Sequence, residues 1–170
     1  LAVAPTPPAV NDACGNALTP VPGTPPTAPN CEGNMVYSFT YTDCAGNSAV
    51  WTYTYTIDIP AFTISTPNGS STVNCLALAV APTPPVVNDA CTNALTPVMT
   101  VSADPACEGT KVYTFTYTDC ANNTAAWTYT YTIDIPQFTI NTPNGASTVN
   151  CLALAVQPTP PTVNDACGTA

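Results

Sequence analysis

The sequence repeats itself every 76 residues, and this period constrains the fold more than any other feature. Cys31, Cys44, Trp51 and Cys75 return as Cys107, Cys120, Trp127 and Cys151. Cys14 returns as Cys91 and again as Cys167. Between residues 31–75 and 107–151, 36 of 45 positions are identical. Leu1–Ala17 recurs at Leu78–Ala94 and at Leu154–Ala170, so the chain is two periods followed by a third copy of its first seventeen residues. A chain of this kind folds as repeated small units whose faces are buried against neighbours. A unit this short has a marginal core, and disulfides stabilise it by a few kcal/mol each. The one length change lies between the first two cysteines, where Pro22–Asn30 becomes Met99–Ala106. That segment behaves as a surface loop, where insertions cost little.

Within one copy the pattern is that of β-structure. Tyr37, Phe39 and Tyr41 alternate with Ser38, Thr40 and Thr42. After DCAGNS, Trp51, Tyr53, Tyr55, Ile57 and Ile59 alternate with Thr52, Thr54, Thr56 and Asp58. Period-two alternation over two such runs predicts a hairpin with an aromatic face inward and a threonine face outward. Asp43, Gly46 and Asn47 suit the turn. Pro67-Asn68-Gly69 predicts a second tight hairpin. Ala81–Pro85 is expected to be extended and proline-stiffened, with short strands at Val86–Val87 and Leu95–Val101. No segment carries a helical pattern. Six or seven short strands per copy imply a small β-sandwich.

Composition narrows the function. Lys111 is the only basic residue, there is no histidine, and net charge is −9. Nucleic-acid binding and attachment to anionic membranes both need many cations and are excluded. Histidine catalysis and histidine metal sites are excluded too. No apolar run approaches the roughly 18–20 residues of a membrane span. Nine cysteines in an acidic chain point to an oxidising, extracellular setting. Leu1 begins without Met, a charged segment or an apolar leader, so a processed chain or a window on a longer polypeptide is expected.

The carboxylates recur with the period: Asp12, Asp89 and Asp165; Asp43 and Asp119; Asp58 and Asp134; Glu32 and Glu108. Recurrence argues for structure rather than a unique active site, and no Ser-His or Cys-His pair exists, so no enzyme is expected. Asp58 and Asp134, each before Ile-Pro, are the candidate calcium ligands at junctions between copies; no other cofactor is expected. Sequons at Asn68 and Asn122 are candidate N-glycosylation sites, although neither is kept in the other copy. Thr6, Thr24, Thr27 and Thr83 are candidate O-glycosylation sites in Thr/Pro-rich surface.

TDCAGN (Thr42–Asn47) and TDCANN (Thr118–Asn123) resemble the "TDxxGN" signature of hyalin-repeat and related bacterial immunoglobulin-like modules. NDACGN (Asn11–Asn16), NDACTN (Asn88–Asn93) and NDACGT (Asn164–Thr169) resemble the cysteine motif in the middle of those modules. The Thr-Val-Asn-Cys at 72–75 and 148–151 stands where they carry their first cysteine. The resemblance implies an all-β chain of tandem small immunoglobulin-like β-sandwich modules stapled by disulfides. In the family's register, 1–60 is an incomplete first module, 61–136 a complete one, and 137–170 the initial strands of a third. The C-terminal segment is then placed to complete a neighbouring subunit. All nine cysteines (Cys14, Cys31, Cys44, Cys75, Cys91, Cys107, Cys120, Cys151 and Cys167) are candidates for disulfides. One set of pairs is Cys14–Cys31, Cys91–Cys107 and Cys75–Cys120, with Cys44 and Cys151 or Cys167 seeking partners across a copy boundary. The rival set is local: Cys44–Cys75 and Cys120–Cys151. The family occurs in large secreted adhesins and surface fibres. The resemblance therefore implies a structural subunit of an extracellular bacterial filament, joined head-to-tail to copies of itself. The alternative it leaves open is a cell-surface adhesin repeat that binds glycan or another cell.

Overall fold

The computed structural model describes residues 3–168. Among them are eleven β-strands, two short 3-10 turns and no α-helix. The chain is all-β. In order the strands are β1 (Val10–Asn11), β2 (Ala17–Leu18), β3 (Val21–Pro22), β4 (Gly33–Thr42), β5 (Ser48–Ile57), β6 (Gly69–Val73), β7 (Val87–Asn88), β8 (Ala94–Leu95), β9 (Val98–Val101), β10 (Gly109–Thr118) and β11 (Thr124–Ile133). Two compact units form. One comprises residues up to 63 with 88–95 and 118–124; the other comprises 64–87, 96–117 and 125 onward.

The first unit is built on the sheet β3-β4-β5 and the small hairpin β1-β2. β4 and β5 pair antiparallel over their whole length, with Phe39 opposite Trp51 and Tyr37 opposite Tyr53. β3 stops after two residues. Pro22, Pro25 and Pro26 bring few N–H donors to the ladder, which ends at Gly23, whose N–H donates to Ser38 O at 2.8 Å. The second copy has no proline between Val98 and Val101, and β9 there pairs with β10 over four residues.

The second unit carries the sheet β6-β11-β10-β9. The expected inward aromatic face forms in this unit. On β4 and β5 of the first unit only Phe39 and Tyr41 are buried among the aromatic residues, and Tyr53 is exposed, whereas here Tyr113, Phe115, Tyr117, Trp127, Tyr131 and Ile133 are buried. Their rings meet edge-on or tilted, Tyr113 with Tyr131 at 6.1 Å and Phe115 with Trp127 at 5.7 Å between centroids, a favourable geometry for aromatic pairs. The proline-rich segment lies over this face without joining the ladder, so its carbonyls take side-chain donors instead. The Tyr117 hydroxyl donates to Pro85 O at 2.5 Å and the Tyr113 hydroxyl to Ala79 O at 2.7 Å. Tyr41 does the same for Pro8 in the first unit.

The expected hairpin at Pro67-Asn68-Gly69 does not form. β6 lies parallel to β11, with Gly69 opposite Tyr129 and Val73 opposite Ile133. Three side chains account for this. The Trp127 indole N–H donates to Pro67 O at 2.8 Å, and Asn68 Oδ1 accepts from Thr128 N at 2.9 Å. Gly69 admits the Tyr129 ring, which a Cβ there would strike. The turns Leu76–Leu78 and Leu152–Leu154, each following a cysteine, were not expected either.

Candidate assembly site

Four of the carboxylates that recur with the period, Asp12, Asp43, Asp89 and Asp119, build one kind of turn. Asp12 Oδ1 accepts from the N–H groups of Cys14 and Asn16, and its Oδ2 accepts from the Asn16 amide at 2.9 Å. Asp43 with Asn47, Asp89 with Asn93 and Asp119 with Asn123 repeat the pattern. NDACGN and TDCAGN are therefore the same Asp-x-x-Gly-Asn turn, with cysteine shifted by one position. The residue before each asparagine has positive φ: Gly15 and Gly46 at 84°, Thr92 at 68° and Asn122 at 65°. The asparagine amide, seconded by backbone N–H groups, holds the carboxyls of Asp12, Asp43 and Asp89 below their ordinary range. The sequence reading places Asn47 in its turn but does not single out Asn16, Asn93 and Asn123 as partners of the carboxylates, although their common spacing is readable in the sequence.

The Asp119 turn receives a part of the first copy. Cys31 is bonded to Cys120. Next to it, Glu32 Oε1 accepts from Ile59 N at 3.1 Å, and Ile59 O accepts from the Asn123 amide at 3.3 Å. Ile59, Asp89 and Asp119 are all buried. Cys31, Glu32 and Ile59 thus form a plug, and the Asp119–Asn123 turn is its socket. All of these residues lie in the first unit.

Each half of this contact exists a second time without its complement among the described residues. Glu108 Oε1 accepts from Ile135 N at 3.0 Å, which rebuilds the plug, but Cys107 beside it is exposed and unpaired. In the other direction, Cys44 in the Asp43 turn is exposed and unpaired. Beside that turn a cavity of about 360 Å³ is open, lined by Leu18, Tyr41, Val50 and Trp51 with Asp12 and Asp43.

Neither set of expected disulfides is found. The structure pairs Cys31 with Cys120 and Cys75 with Cys167. Both bonds run from one copy to the next, closing sequence separations of 89 and 92 residues. The expected pairs assumed that nearby cysteines meet. Instead, Cys31 is carried to the following copy's turn by the plug, while Cys75 follows β6, which pairs in parallel rather than turning back. Cys14, Cys44, Cys91, Cys107 and Cys151 are free and exposed.

The other candidate residues stand apart from this contact. Asp58 and Asp134 are exposed. Among the described residues, no group of three or more His, Cys, Asp or Glu side chains is placed to hold a metal ion. Asn68, Asn122, Thr6, Thr24, Thr27 and Thr83 are exposed. Asn68 spends its carbonyl oxygen on Thr128 N.

Residues 1–57, 63–133 and 139–170 each match a family model, the HYR-like domain with 4 cysteines. The chain belongs to the HYR-like family. No curated protein matches it. The middle HYR-like segment contains Cys75, Cys91, Cys107 and Cys120, the four cysteines of the family's description. Tandem HYR-like repeats with disulfides are consistent with an extracellular or surface location.

Proposed function

We propose that this protein is a structural subunit of an extracellular bacterial filament, assembled head-to-tail through its own repeats. The observation that carries the reading is the plug and socket: one pair is engaged between copies, and one plug and one socket are open. A heterologous contact of this type propagates from copy to copy, and gives an open filament where its rotation does not close a ring.

The strands support the same reading. β5 is an edge strand, with β4 as its sole neighbour among the described residues. Its counterpart β11 is covered by β6. Residues 145–149 (GASTV) repeat the β6 sequence (GSSTV) but form no strand. Around them Phe138, Ile140 and Leu152 are exposed, whereas Phe62, Ile64 and Leu76 in the previous copy are half-buried. Addition of 145–149 to the β5 edge of another copy, with Gly145 opposite Tyr53, would repeat the β6–β11 register. The role is mechanical, with no catalysis and no cofactor.

Electron microscopy of the native material tests this. Filaments are expected, and discrete monomers would overturn the proposal. A second reading is an adhesin repeat that binds glycan, favoured by the open cavity, where Tyr41 and Trp51 stand beside Asp12 and Asp43. Oligosaccharide binding by unassembled protein, abolished by Trp51→Ala, would favour that reading.

A further inference from the structure

We infer that the free cysteines are the open ends of a disulfide ladder that bonds every copy of the repeat to the next by two rungs. In the order Cys75, Cys91, Cys107, Cys120, the four cysteines of a copy are its first to fourth. Cys31–Cys120 joins a third cysteine to the fourth of the following copy. Cys75–Cys167 joins a first cysteine to the second of the following copy. Neither rung pairs cysteines of the same copy.

Translated along the period, the same two rungs account for all five free thiols. Cys107 is a third cysteine and Cys151 a first, so each reaches forward to a later copy. Cys44 is a fourth cysteine, and Cys14 and Cys91 are second ones, so each reaches back to an earlier copy. The two kinds are segregated: Cys14, Cys44 and Cys91 belong to the first compact unit, and Cys107 and Cys151 to the second. All five are exposed, as open ends must be. The surroundings of two of them are already in place. Glu108 and Ile135 rebuild beside Cys107 the hydrogen bond that stands beside the bonded Cys31. The Asp43–Asn47 turn around Cys44 has the hydrogen bonds of the turn around the bonded Cys120.

The partner is another copy of this repeat, and the bonds formed are Cys107–Cys44 and Cys151–Cys91. For each rung, one thiolate attacks a disulfide oxidant, either a small-molecule disulfide or the disulfide of a thiol oxidoreductase. This gives a mixed disulfide and releases one oxidant thiol. The second thiolate displaces the other oxidant sulfur. Two protein thiols thereby become one disulfide, and the oxidant leaves as two thiols carrying the two electrons and two protons. The inference relies on the head-to-tail reading only for the neighbour being another copy of this repeat.

The test is peptide mapping by mass spectrometry of the native protein, alkylated and digested without reduction. Flanking sequences distinguish every cysteine: DCAGN from DCANN, DPAC from APNC, CLALAVQ from CLALAVA, and ACTN, ACGN and ACGT from one another. The expected linked peptides are Cys107–Cys44 and Cys151–Cys91, or their equivalents in further copies, beside Cys31–Cys120 and Cys75–Cys167. If the copies belong to separate chains, reduction collapses a ladder of masses to one chain mass. Cys14 then stays alkylatable, because Cys167 holds its equivalent position. If they belong to one polypeptide, Cys14 is bonded as well. Bonds within a copy, such as Cys91–Cys107, overturn the inference, as do five alkylated thiols in assembled material. The double variant Cys107→Ser, Cys151→Ser keeps both observed bonds and is expected to lose linkage to all later copies, and in separate chains all linkage between them. Filaments whose five thiols are all alkylated would sink the ladder and spare the filament. Linked copies without filaments would do the reverse.

Discussion

Thr92 stands at φ 68° in the turn position that Gly15 and Gly46 occupy at 84°. A β-branched residue in the left-handed region is strained by about 1–3 kcal/mol, and glycine recovers most of this at an entropic cost of roughly 0.5–1 kcal/mol. Thr92→Gly is therefore expected to stabilise the fold by about 1 kcal/mol, read as a rise in thermal midpoint. Asn122→Gly should gain less, since asparagine tolerates this conformation. In the same turns, Asp12, Asp43 and Asp89 have folded-state pKa values below the ordinary 3.8. Their contribution to stability is complete above that value and is lost as pH falls through the lower folded value. The thermal midpoint should accordingly hold in neutral and mildly acidic solution and drop only below about pH 4. Asn47→Ala removes the main cause for Asp43, and an NMR titration should then show its carboxyl moving back up toward 3.8.

At the scale of elements, the alternation of aromatic residues with threonine made β4, β5, β10 and β11 legible in the sequence, down to the buried face of the second unit. The partner of β11 was not legible. Pro-Asn-Gly reads locally as a hairpin, and it takes long-range contacts, the bonds from Trp127 and to Asn68 and the Tyr129 ring against Gly69, to make β6 a parallel neighbour. The disulfides were hidden for the same reason, because spacing along the chain does not report which copy supplies a partner. Likewise, the shared Asp-x-x-Gly-Asn turn was visible as spacing, but the plug formed by Glu32 and Ile59 lies in contacts that no motif records. The glycines test the strand argument directly. A Cβ at Gly69 would meet the Tyr129 ring, whereas at Gly145 nothing lies within 4 Å. Gly69→Val should therefore destabilise the subunit, by about 1–3 kcal/mol for an overpacked site. Gly145→Val should leave the thermal midpoint of the unassembled protein unchanged and block its assembly. Normal filaments from Gly145→Val would rule out strand addition at β5.

At the scale of the whole molecule, one cation among 170 residues leaves stability to apolar burial, backbone pairing and cross-links rather than to ion pairs. The single salt bridge among the described residues, Lys111–Asp104 at 2.8 Å, is at the surface, where such pairs contribute little. The two disulfides differ in kind from staples that each close one small loop, because the stretch from Cys31 to Cys120 and the stretch from Cys75 to Cys167 overlap. Every peptide bond between Cys31 and Cys167 is thus bypassed by at least one sulfur bridge. A protease that cuts once in this stretch leaves both fragments covalently attached, so the nicked protein should run as one species on a non-reducing gel and as two after reduction. The molecule is spliced like rope, in which a single severed yarn does not part the line.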